Sequence, residues 1–450
     1  MTQIQRWTLT VVCAATAMLM LDIAVVNTAL SAIAADLDTG LSGLQWIVDA
    51  YTLPLAATVL TAGVLADRFG RRRLFGVGLT VFTVTSLACA AAPSITALNV
   101  ARAAQGLGAA LMFAVSLAVL SNAFPHMQER MKALAAYGAT MGGAFAVGPL
   151  VGGALTSALD WRWIFLINLP LGVLCLWIVR RYVAESKDPR APRVDLPGLV
   201  TLTGGLFLLV YALLRSKGIV VYAGAGALLI AFVAIEARVA HPMLPLGLFR
   251  NPSFTGAQVG AFGISASLFA MWFYMTLYLQ FVLGLSAIEA GLVYVPGTLL
   301  NFFVAGSMAS VGQRVSPRVL VAGGLALIGT GLALLTLLEA DSSWWLFLPG
   351  LLVAMVGTGM LNPSVSQVAL SSLPPEQSGL AAGANDMFRQ AGIAVGVAAL
   401  GALVTGGESY VDGFHAALWV GAAVAFAASV ATALLIRAPR MMLSPAPAAA

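Results

Sequence analysis

Charged residues are scarce in this chain. Only 9% of its 450 residues are Asp, Glu, Lys or Arg, whereas ordinary soluble domains contain roughly 25%. This shortage excludes an ordinary water-soluble globular protein. Hydrophobic residues instead make up 60% of the chain, and 46 positions are glycine. The composition therefore predicts an integral membrane protein with several spans.

Histidine and cysteine are equally rare, with three of each. His126, His241 and His415 fall in three separate loops, and no HExxH or nucleophile–base spacing occurs, which argues against an enzyme. The cysteines lie within apolar segments, so we expect neither disulfides nor a metal site. The chain contains no GxxxxGK[ST] sequence, so we expect no ATP site and no cofactor.

Fourteen windows of about 20 mostly apolar residues occur, the length that crosses a bilayer core of ~30 Å. The first six predicted spans are Thr8–Ala34, Gln45–Ala66, Leu74–Ala92, Ala97–Ala123, Ala133–Ala158 and Ile164–Val183. Two middle spans, predicted to be peripheral, are Leu196–Leu214 and Ile219–Ile235. The last six are Phe254–Leu283, Ala290–Gly312, Val319–Leu338, Trp345–Leu370, Gly379–Thr405 and Gly413–Ile436.

Polar connectors divide these spans into domains. The segment "AESKDPRAPRVD" and a second connector flank the middle pair. We predict a first six-helix bundle at 1–183, connectors with two extra helices at 184–253, a second bundle at 254–440, and a cytoplasmic tail at 441–450.

Basic residues indicate the orientation. With both termini cytoplasmic, 18 of the 23 basic residues fall in inside segments, three in outside loops and two within spans. This bias follows the positive-inside rule and requires an even number of spans. The net charge of +5 then reflects topology and an anionic inner leaflet, and we expect no nucleic-acid partner. We predict a multi-pass protein of the cell membrane, and a monomer.

A loop after the second span is repeated in degenerate form. The segment "GVLADRFGRRR" begins at Gly63, and 243 residues later Gly306, Ala309, Ser310 and Arg314 echo its pattern. The echo places a second six-helix unit in the same orientation as the first. The predicted fold is an all-α membrane protein with two six-helix bundles, related by a pseudo-two-fold axis along the membrane normal, plus two intervening helices.

The same loop combines glycines with opposite charges. Gly63 and Gly70 permit close approach and positive φ, and Asp67 stands beside Arg68 and Arg71. Such a loop could act as a latch that holds one bundle against the other in one conformation. The alternative is that the arginines are only topological anchors.

This loop and four further segments carry a family resemblance, and they occur in the expected order. "GVLADRFGRRR" resembles the signature loop of the major facilitator superfamily, and "LDIAVVNTAL" is similar to the first-helix signature of its fourteen-helix drug:proton antiporter branch. "LNVARAAQGLGAA", "GATMGGAFAVGPLVGG" and "WRWIFLINLP" resemble the fourth-, fifth- and sixth-helix motifs. The resemblance covers nearly the whole chain and implies export of drugs or antibiotics in exchange for protons. It does not identify the substrate.

The fourth helix carries a polar stripe, because Asn99, Arg102 and Gln105 are spaced three apart. An arginine within a span costs on the order of 2.5–3.5 kcal/mol, so Arg102 should face a cavity and find an acceptor, or else snorkel to the interface. The resemblance implies a proton-relay role for Arg102. Gln105 is predicted to line the substrate cavity.

The fifth helix is rich in small residues. Gly148 and Gly152 are four apart and permit close helix approach, and Pro149 removes a backbone hydrogen bond and favours a bend. We predict that these residues form a bend that seals the cavity on one side. Tight packing alone is the alternative.

Two aspartates occur in unusual places. Asp22 lies about 14 residues into its predicted span, or ~21 Å along it, where a carboxylate needs an aqueous cavity to stay charged. Such a group could bind a proton on one side and release it on the other, so we predict that Asp22 couples transport to protons. Asp49, in the second span, could accept a proton, contact a cationic substrate or bond to a neighbouring hydroxyl.

The thirteenth span carries the polar segment "NDMFRQAGIAVG". Asp386 precedes Arg389 by three residues, so the two could form an ion pair. Alternatively, Asn385 and Arg389 contact the substrate or a gate from the cytoplasmic side. The aromatic segment "FAMWFYMTLYLQF" of the ninth span is either a cavity wall or a lipid-facing stripe.

These features predict proton-coupled export of small lipophilic drugs, antibiotics or other toxic compounds by alternating access. The expected partners are a small-molecule substrate, protons and the bilayer. Proton-linked uptake of a small metabolite and a lipid or precursor flippase are the alternatives.

Overall fold

Fourteen helices that are long and apolar enough to cross a membrane occur in the computed structural model, which describes residues 1–187, 194–215, 218–312, 314–374 and 377–437. The predicted all-helical fold with fourteen spans is confirmed. The first six helices are α1 (Gln3–Asp36), α2 (Leu41–Phe69), α3 (Arg71–Ala90), α4 (Ile95–Ala123), α5 (Met127–Ala158) and α6 (Trp163–Tyr182). The middle pair is α7 (Leu196–Leu214) and α8 (Ile219–Glu236). The last six are α9 (Pro252–Val282), α10 (Ala287–Val311), α11 (Pro317–Leu335), α12 (Trp344–Ser371), α13 (Ser378–Gly406) and α14 (Tyr410–Leu435).

Several helices extend beyond the apolar windows because polar side chains cap their ends. At the start of α1, the Gln5 amide donates to Thr2 Oγ1 at 3.2 Å, and the Thr2 amide donates to Gln5 Oε1 at 2.8 Å. Ser286 and Glu289 form the same capping box at the start of α10. Such reciprocal bonds satisfy backbone donors that a helix start leaves free. Helix α1 therefore begins at Gln3 and not at Thr8 as predicted.

The helices form two bundles that meet along two seams. Helices α1–α6 pack mainly against one another, and so do α9–α14. The first seam joins α5 to α10, and the second joins α2 to α13. We call the side on which α1 begins and α14 ends the termini face, and the side that carries the α1–α2 turn the opposite face.

Hydrogen bonds between the bundles are confined to one half of the molecule. Across the described residues, three occur: the Ile288 amide to Ser157 Oγ at 3.2 Å, Gln45 Nε2 to Tyr274 Oη at 2.8 Å, and Gln280 Nε2 to the Thr28 carbonyl at 2.8 Å. All three lie in the half towards the opposite face. The bundles are therefore fastened together there.

Small residues bring the backbones of α5 and α10 together near the opposite face. A Cβ atom on Gly153 would lie 2.5 Å from the Ala287 carbonyl oxygen, and one on Gly291 would lie 2.5 Å from the Pro149 carbonyl oxygen. Three glycines of α5 and one of α10 have open space where a side chain would be, namely Gly138, Gly142, Gly143 and Gly306.

The inserted hairpin of α7 and α8 contacts the second seam through α7. Helix α7 packs against both α2 and α13, so it covers the second seam, and the ring of Phe207 lies 5.7 Å from that of Trp46. Helix α8 packs mainly on α7. Most residues of both middle helices are not buried, as a peripheral position requires, and α7 in addition contacts one helix of each bundle.

The aromatic segment of α9 faces protein, not lipid. Trp272, Tyr274 and Tyr278 are buried. The Trp272 ring stacks on Tyr294 at 4.4 Å, and Phe145 of α5 approaches Trp272 at 5.8 Å. The lipid-facing alternative is wrong for these residues. Two π-helical turns, Ser265–Phe269 and Tyr278–Val282, interrupt α9 and overlap the two ends of this segment, and such turns are frequent at functional sites.

Candidate functional site

A buried ion pair lies inside the first bundle. Arg102 Nη1 of α4 lies 2.5 Å from Asp22 Oδ2 of α1, and their side chains are only 2% and 0% exposed. Every other salt bridge among the described residues has both side chains at least 25% exposed. Two charges removed from water in this way must be matched by additional hydrogen bonds.

Those bonds come from Gln105 of α4 itself and from residues of three other helices, α2, α3 and α6. Asp22 Oδ1 accepts from Gln105 Nε2 at 2.9 Å and from Asn168 Nδ2 at 3.2 Å. Arg102 donates further, from Nη1 to Gln105 Oε1 at 2.8 Å and from Nε to the Ile47 carbonyl at 3.2 Å. Ser86 of α3 accepts from both amides. The arginine thus has neutral acceptors besides the carboxylate.

Aromatic rings complete the surroundings of Arg102. Its guanidinium carbon lies 4.3 Å from the Tyr51 ring centroid and 5.7 Å from that of Phe165. Both geometries suit cation–π attraction. Snorkelling, the alternative for Arg102, does not occur, because the side chain is held inside the bundle.

Asp22 does not line an open cavity in this conformation, contrary to expectation. Its surroundings are sealed because Arg102, Gln105 and Asn168 supply the hydrogen bonds that water would otherwise provide. Gln105, which was assigned to the substrate cavity, lies in this same cluster. Asp22 becomes accessible to water only if the helices around it move.

Asp49 lies in the fastened half of the interface. It is 0% exposed, and neither of its carboxylate oxygens has a hydrogen-bond partner among the described residues. Of the three alternatives for Asp49, the bond to a neighbouring hydroxyl does not occur among the described residues. One helical turn away, Gln45 contacts Tyr274 of the second bundle, and Tyr274 Oη donates to the Val397 carbonyl.

The polar residues of α13 reach other helices of the second bundle. Arg389 Nη1 donates to Asn362 Oδ1 of α12 at 2.9 Å, and Asn385 Nδ2 donates to Gln258 Oε1 of α9 at 3.4 Å. Asp386 makes no salt bridge within the part of the chain that the structure describes. Of the two alternatives for this segment, the Asp386–Arg389 salt bridge does not form among the described residues, because the arginine turns towards α12.

The charged loop after α2 is braced within its own half of the chain. Arg71 Nε lies 2.8 Å from Asp67 Oδ1, and Glu185 Oε1 accepts from the Arg72 amide at 3.0 Å. Gly70 has a φ of 111° and no room for a side chain, since a Cβ would lie 2.8 Å from the Glu185 carboxylate. Gly63 differs from expectation, because open space surrounds it.

The fifth-helix motif contacts two neighbouring helices, α1 and α10. Gly148 and Gly152 lie against α1, where a Cβ on Gly152 would be 2.8 Å from the Val25 carbonyl oxygen. Pro149, within the helix, touches Gly291 of α10. This segment therefore lies where α5 meets both its own bundle and the other one.

Sequence reasoning missed several partners. Ser86 and Asn168 complete the Asp22 cluster, Glu185 braces the charged loop, and Gln45 and Gln280 join the bundles. An asparagine within an apolar span is a signal that could have found Asn168. No periodic pattern marks the others.

The comparisons with known proteins agree with this architecture. The sequence pattern of the Major Facilitator Superfamily matches residues 12–397. The chain belongs to this superfamily. Among solved structures, the human organic anion transporter MFSD10 (TETRAN) superposes with a TM-score of 0.65, at 14% identity, covering 96% of this chain and 100% of that one. At that identity the likeness concerns the fold alone.

Relatives closer in sequence include resistance proteins. The chain is 37% identical over 413 residues to the puromycin resistance protein pur8 of Streptomyces alboniger, covering 89% of this chain and 82% of the relative. It is 35% identical over 395 residues to the multidrug resistance protein Stp of Mycobacterium tuberculosis (strain CDC 1551 / Oshkosh), covering 86% and 73%. It is also 34% identical over 413 residues to the tetracenomycin C resistance and export protein of Streptomyces glaucescens, covering 88% and 75%.

Proposed function

We propose that this transporter exports small lipophilic drugs, antibiotics or other toxic compounds in exchange for protons. The buried Asp22–Arg102 pair is the observation that carries the proton coupling, because a carboxylate so placed exchanges a proton only when the helices around it move. The names of the relatives, which are resistance and export proteins, support the substrate class.

We place the protein in the cell membrane, with both termini in the cytoplasm. The uneven distribution of basic residues supports this orientation. The termini face is then cytoplasmic and the opposite face extracellular. Since all described hydrogen bonds between the bundles lie in the extracellular half, the conformation is inward-facing.

Proton binding and the ion pair exclude each other. When the extracellular half opens, a proton neutralises Asp22, and Arg102 keeps its bonds to Gln105 Oε1 and the Ile47 carbonyl. The bundles then rock inward, and the proton leaves as Asp22 and Arg102 re-form their pair. The inward-facing state is thus deprotonated and ready to receive substrate for export.

The driving force is sufficient without ATP. One proton moving down ~100 mV releases about 2.3 kcal/mol, and one pH unit adds about 1.4 kcal/mol. Together these sustain a gradient of about 500-fold for a neutral substrate exchanged for one proton. No cofactor enters this scheme.

Substrate contacts are proposed at Asp49, Gln105, Asn385 and Arg389. Asp49 supports recognition from the extracellular half because its carboxylate has no partner there. Asn385 and Arg389 lie on α13, which forms the second seam with α2. Phe145 and Trp272, from different bundles, supply the apolar surface that lipophilic compounds need.

The charged loop and the fifth-helix motif are proposed to control the transition. Gly63, Asp67, Arg68, Gly70 and Arg71 form the latch on the cytoplasmic side, and the hydrogen bonds described for it stay within its own half of the chain. Gly148, Pro149 and Gly152 form the extracellular seal. We infer that the latch engages the second bundle only in the outward-facing state.

Tethering α5 to α10 at the extracellular face is expected to stop transport. Ser157→Cys and Ile288→Cys place two thiols beside the contact in which the Ile288 amide nitrogen lies 3.2 Å from Ser157 Oγ. A short cleavable thiol cross-linker should then abolish substrate flux, because the seam could no longer open. Flux is measured in proteoliposomes in a Cys13→Ser background, since Cys13 is only half-buried. Each single-cysteine variant is the control, and undiminished flux after complete cross-linking contradicts alternating access at this seam.

Reconstitution tests the direction of coupling. In proteoliposomes with the cytoplasmic side outward, adding an exported antibiotic outside should drive its uptake together with release of protons from the lumen. Proton movement in the same direction as the compound would show symport and overturn the proposal. Candidate substrates come from a growth-inhibition panel of diverse antimicrobials.

A further inference from the structure

Two carboxyl groups are buried at the cytoplasmic end of the inserted hairpin. Asp195 caps α7, with Oδ1 accepting from the Gly198 amide at 2.9 Å. Glu236 is the last residue of α8, and its Oε2 accepts from the Leu244 amide at 3.0 Å. The two residues are only 6% and 3% exposed. None of these contacts is part of the transport site described above.

The remaining oxygens of the two groups face the same small space. Asp195 Oδ2 and Glu236 Oε1 are buried and have no hydrogen-bond partner in the described parts of the chain. A Cβ atom on Gly198 would lie 2.5 Å from the first and 2.7 Å from the second. A side chain at this position of α7 would displace these oxygens, and the two carboxyl groups are close enough to bond to one another.

No salt bridge to either carboxyl group occurs among the described residues. The small cavity beside Asp195 is lined by Thr61 and Val64 of α2 and by His241 of the connector to α9. His241 is exposed and is the other titratable group in that lining.

We propose that Asp195 and Glu236 form a proton-binding site, in which one shared proton joins Asp195 Oδ2 to Glu236 Oε1. Two carboxylates in one buried site cannot both ionise cheaply, so the pair keeps a proton that either group alone would lose. The proton supplies the donor that both oxygens lack. A bound metal ion is less suited, because no described group of three or more acidic, histidine or cysteine side chains is arranged to hold one.

The shared proton fastens three parts of the chain together. Asp195 begins α7, which packs against helices of both bundles. Glu236 anchors Leu244, which lies in the connector that leads to α9 and whose side chain is buried in a hydrophobic cluster with residues of both bundles. When the proton is lost as the cytoplasm becomes alkaline, the two charges repel, and the end of the hairpin loosens from the connector. The site thus makes the hairpin sensitive to cytoplasmic pH.

Amide variants test the proposal directly. Glu236→Gln and Asp195→Asn each keep the backbone hydrogen bond and supply a permanent N–H donor to the other carboxylate. Hydrogen exchange of the amides at 196–200 and 244–248 is followed on the full chain in nanodiscs, corrected for intrinsic exchange. In the original chain, exchange should quicken by about tenfold or more between about pH 6 and about pH 9. In both amide variants, the corrected rate should stay nearly constant.

Infrared spectroscopy provides a direct readout of the proton. A carbonyl band of a protonated carboxylic acid should appear near neutral pH in the difference spectrum of the original chain minus either amide variant, since other buried acids such as Asp49 contribute equally to both spectra. Asp412→Asn is the matched control, because Asp412 is an exposed acid in the first turn of α14 with no carboxylate neighbour. This control and His241→Gln should both retain the band and the pH-dependent exchange.

Three results would overturn the proposal. The first is the same pH profile of exchange in the original chain and in Glu236→Gln, and the second is loss of the pH profile in His241→Gln. The third is restored protection at alkaline pH on adding Mg²⁺ or Ca²⁺, which would show a cation site. These measurements need no transported substrate, so their failure leaves the proposed export function untouched.

Discussion

Asp22→Asn is expected to abolish uphill export while preserving exchange of substrate across the membrane. Asparagine cannot bind or release a proton, so rocking of the bundles is no longer tied to proton movement. The substrate gradient built by an imposed pH and voltage difference should fall from about 500-fold to about one. Counterflow of labelled against unlabelled substrate should continue, because a neutral side chain resembles the protonated state.

Proteoliposomes with matched amounts of folded protein provide this measurement. Asp22→Glu, which keeps a titratable group, should retain part of the gradient. Asp412→Asn, at an exposed helix start, should behave as the original chain does. An Asp22→Asn variant that still built the full gradient would refute proton coupling through this residue.

The ion pair should also show a large coupling in stability. Asp22→Asn leaves Arg102 as an unpaired buried cation, and Arg102→Gln leaves Asp22 as an unpaired buried anion. Each single change should lower the free energy of unfolding by about 3–5 kcal/mol. The double variant removes both charges and keeps neutral hydrogen-bonding groups, so it should lose far less than the sum.

Reversible unfolding in mixed detergent micelles checks this cycle. The pair Asp36 and Arg162 is the control, because its 2.8 Å contact is 43% and 32% exposed and should couple by about 1 kcal/mol or less. Additivity of the Asp22 and Arg102 changes to within about 0.5 kcal/mol would contradict the buried pair.

Part of the site was predictable because the membrane makes polar residues conspicuous. Asp22, Arg102 and Gln105 stand out in apolar spans, where each needs a partner or water. Their spacing did not reveal that they contact one another, since α1 and α4 are separated by two helices in the chain. Nor did it show that Asp22 is sealed in an ion pair with Arg102 and does not line an open cavity.

Local spacing also misled at α13. Asp386 and Arg389 are three apart, which favours an ion pair on an isolated helix. In the folded protein Arg389 donates to Asn362 of α12 instead. A helix packed on several sides offers partners that its own sequence does not show.

The sequence by itself determined the number of spans, the repeated bundles and the scarce polar residues. The reason is that each unpaired charge or unsatisfied backbone polar group costs free energy in the hydrocarbon core of the membrane, wherever it lies in the chain. Only the tertiary structure decided which of these residues meet. Asp22 with Arg102, Gln45 with Tyr274, and Asp195 with Glu236 are each joined across helices by packing. Contacts between distant segments depend on how small residues let backbones approach, and that geometry is a property of the assembled bundles.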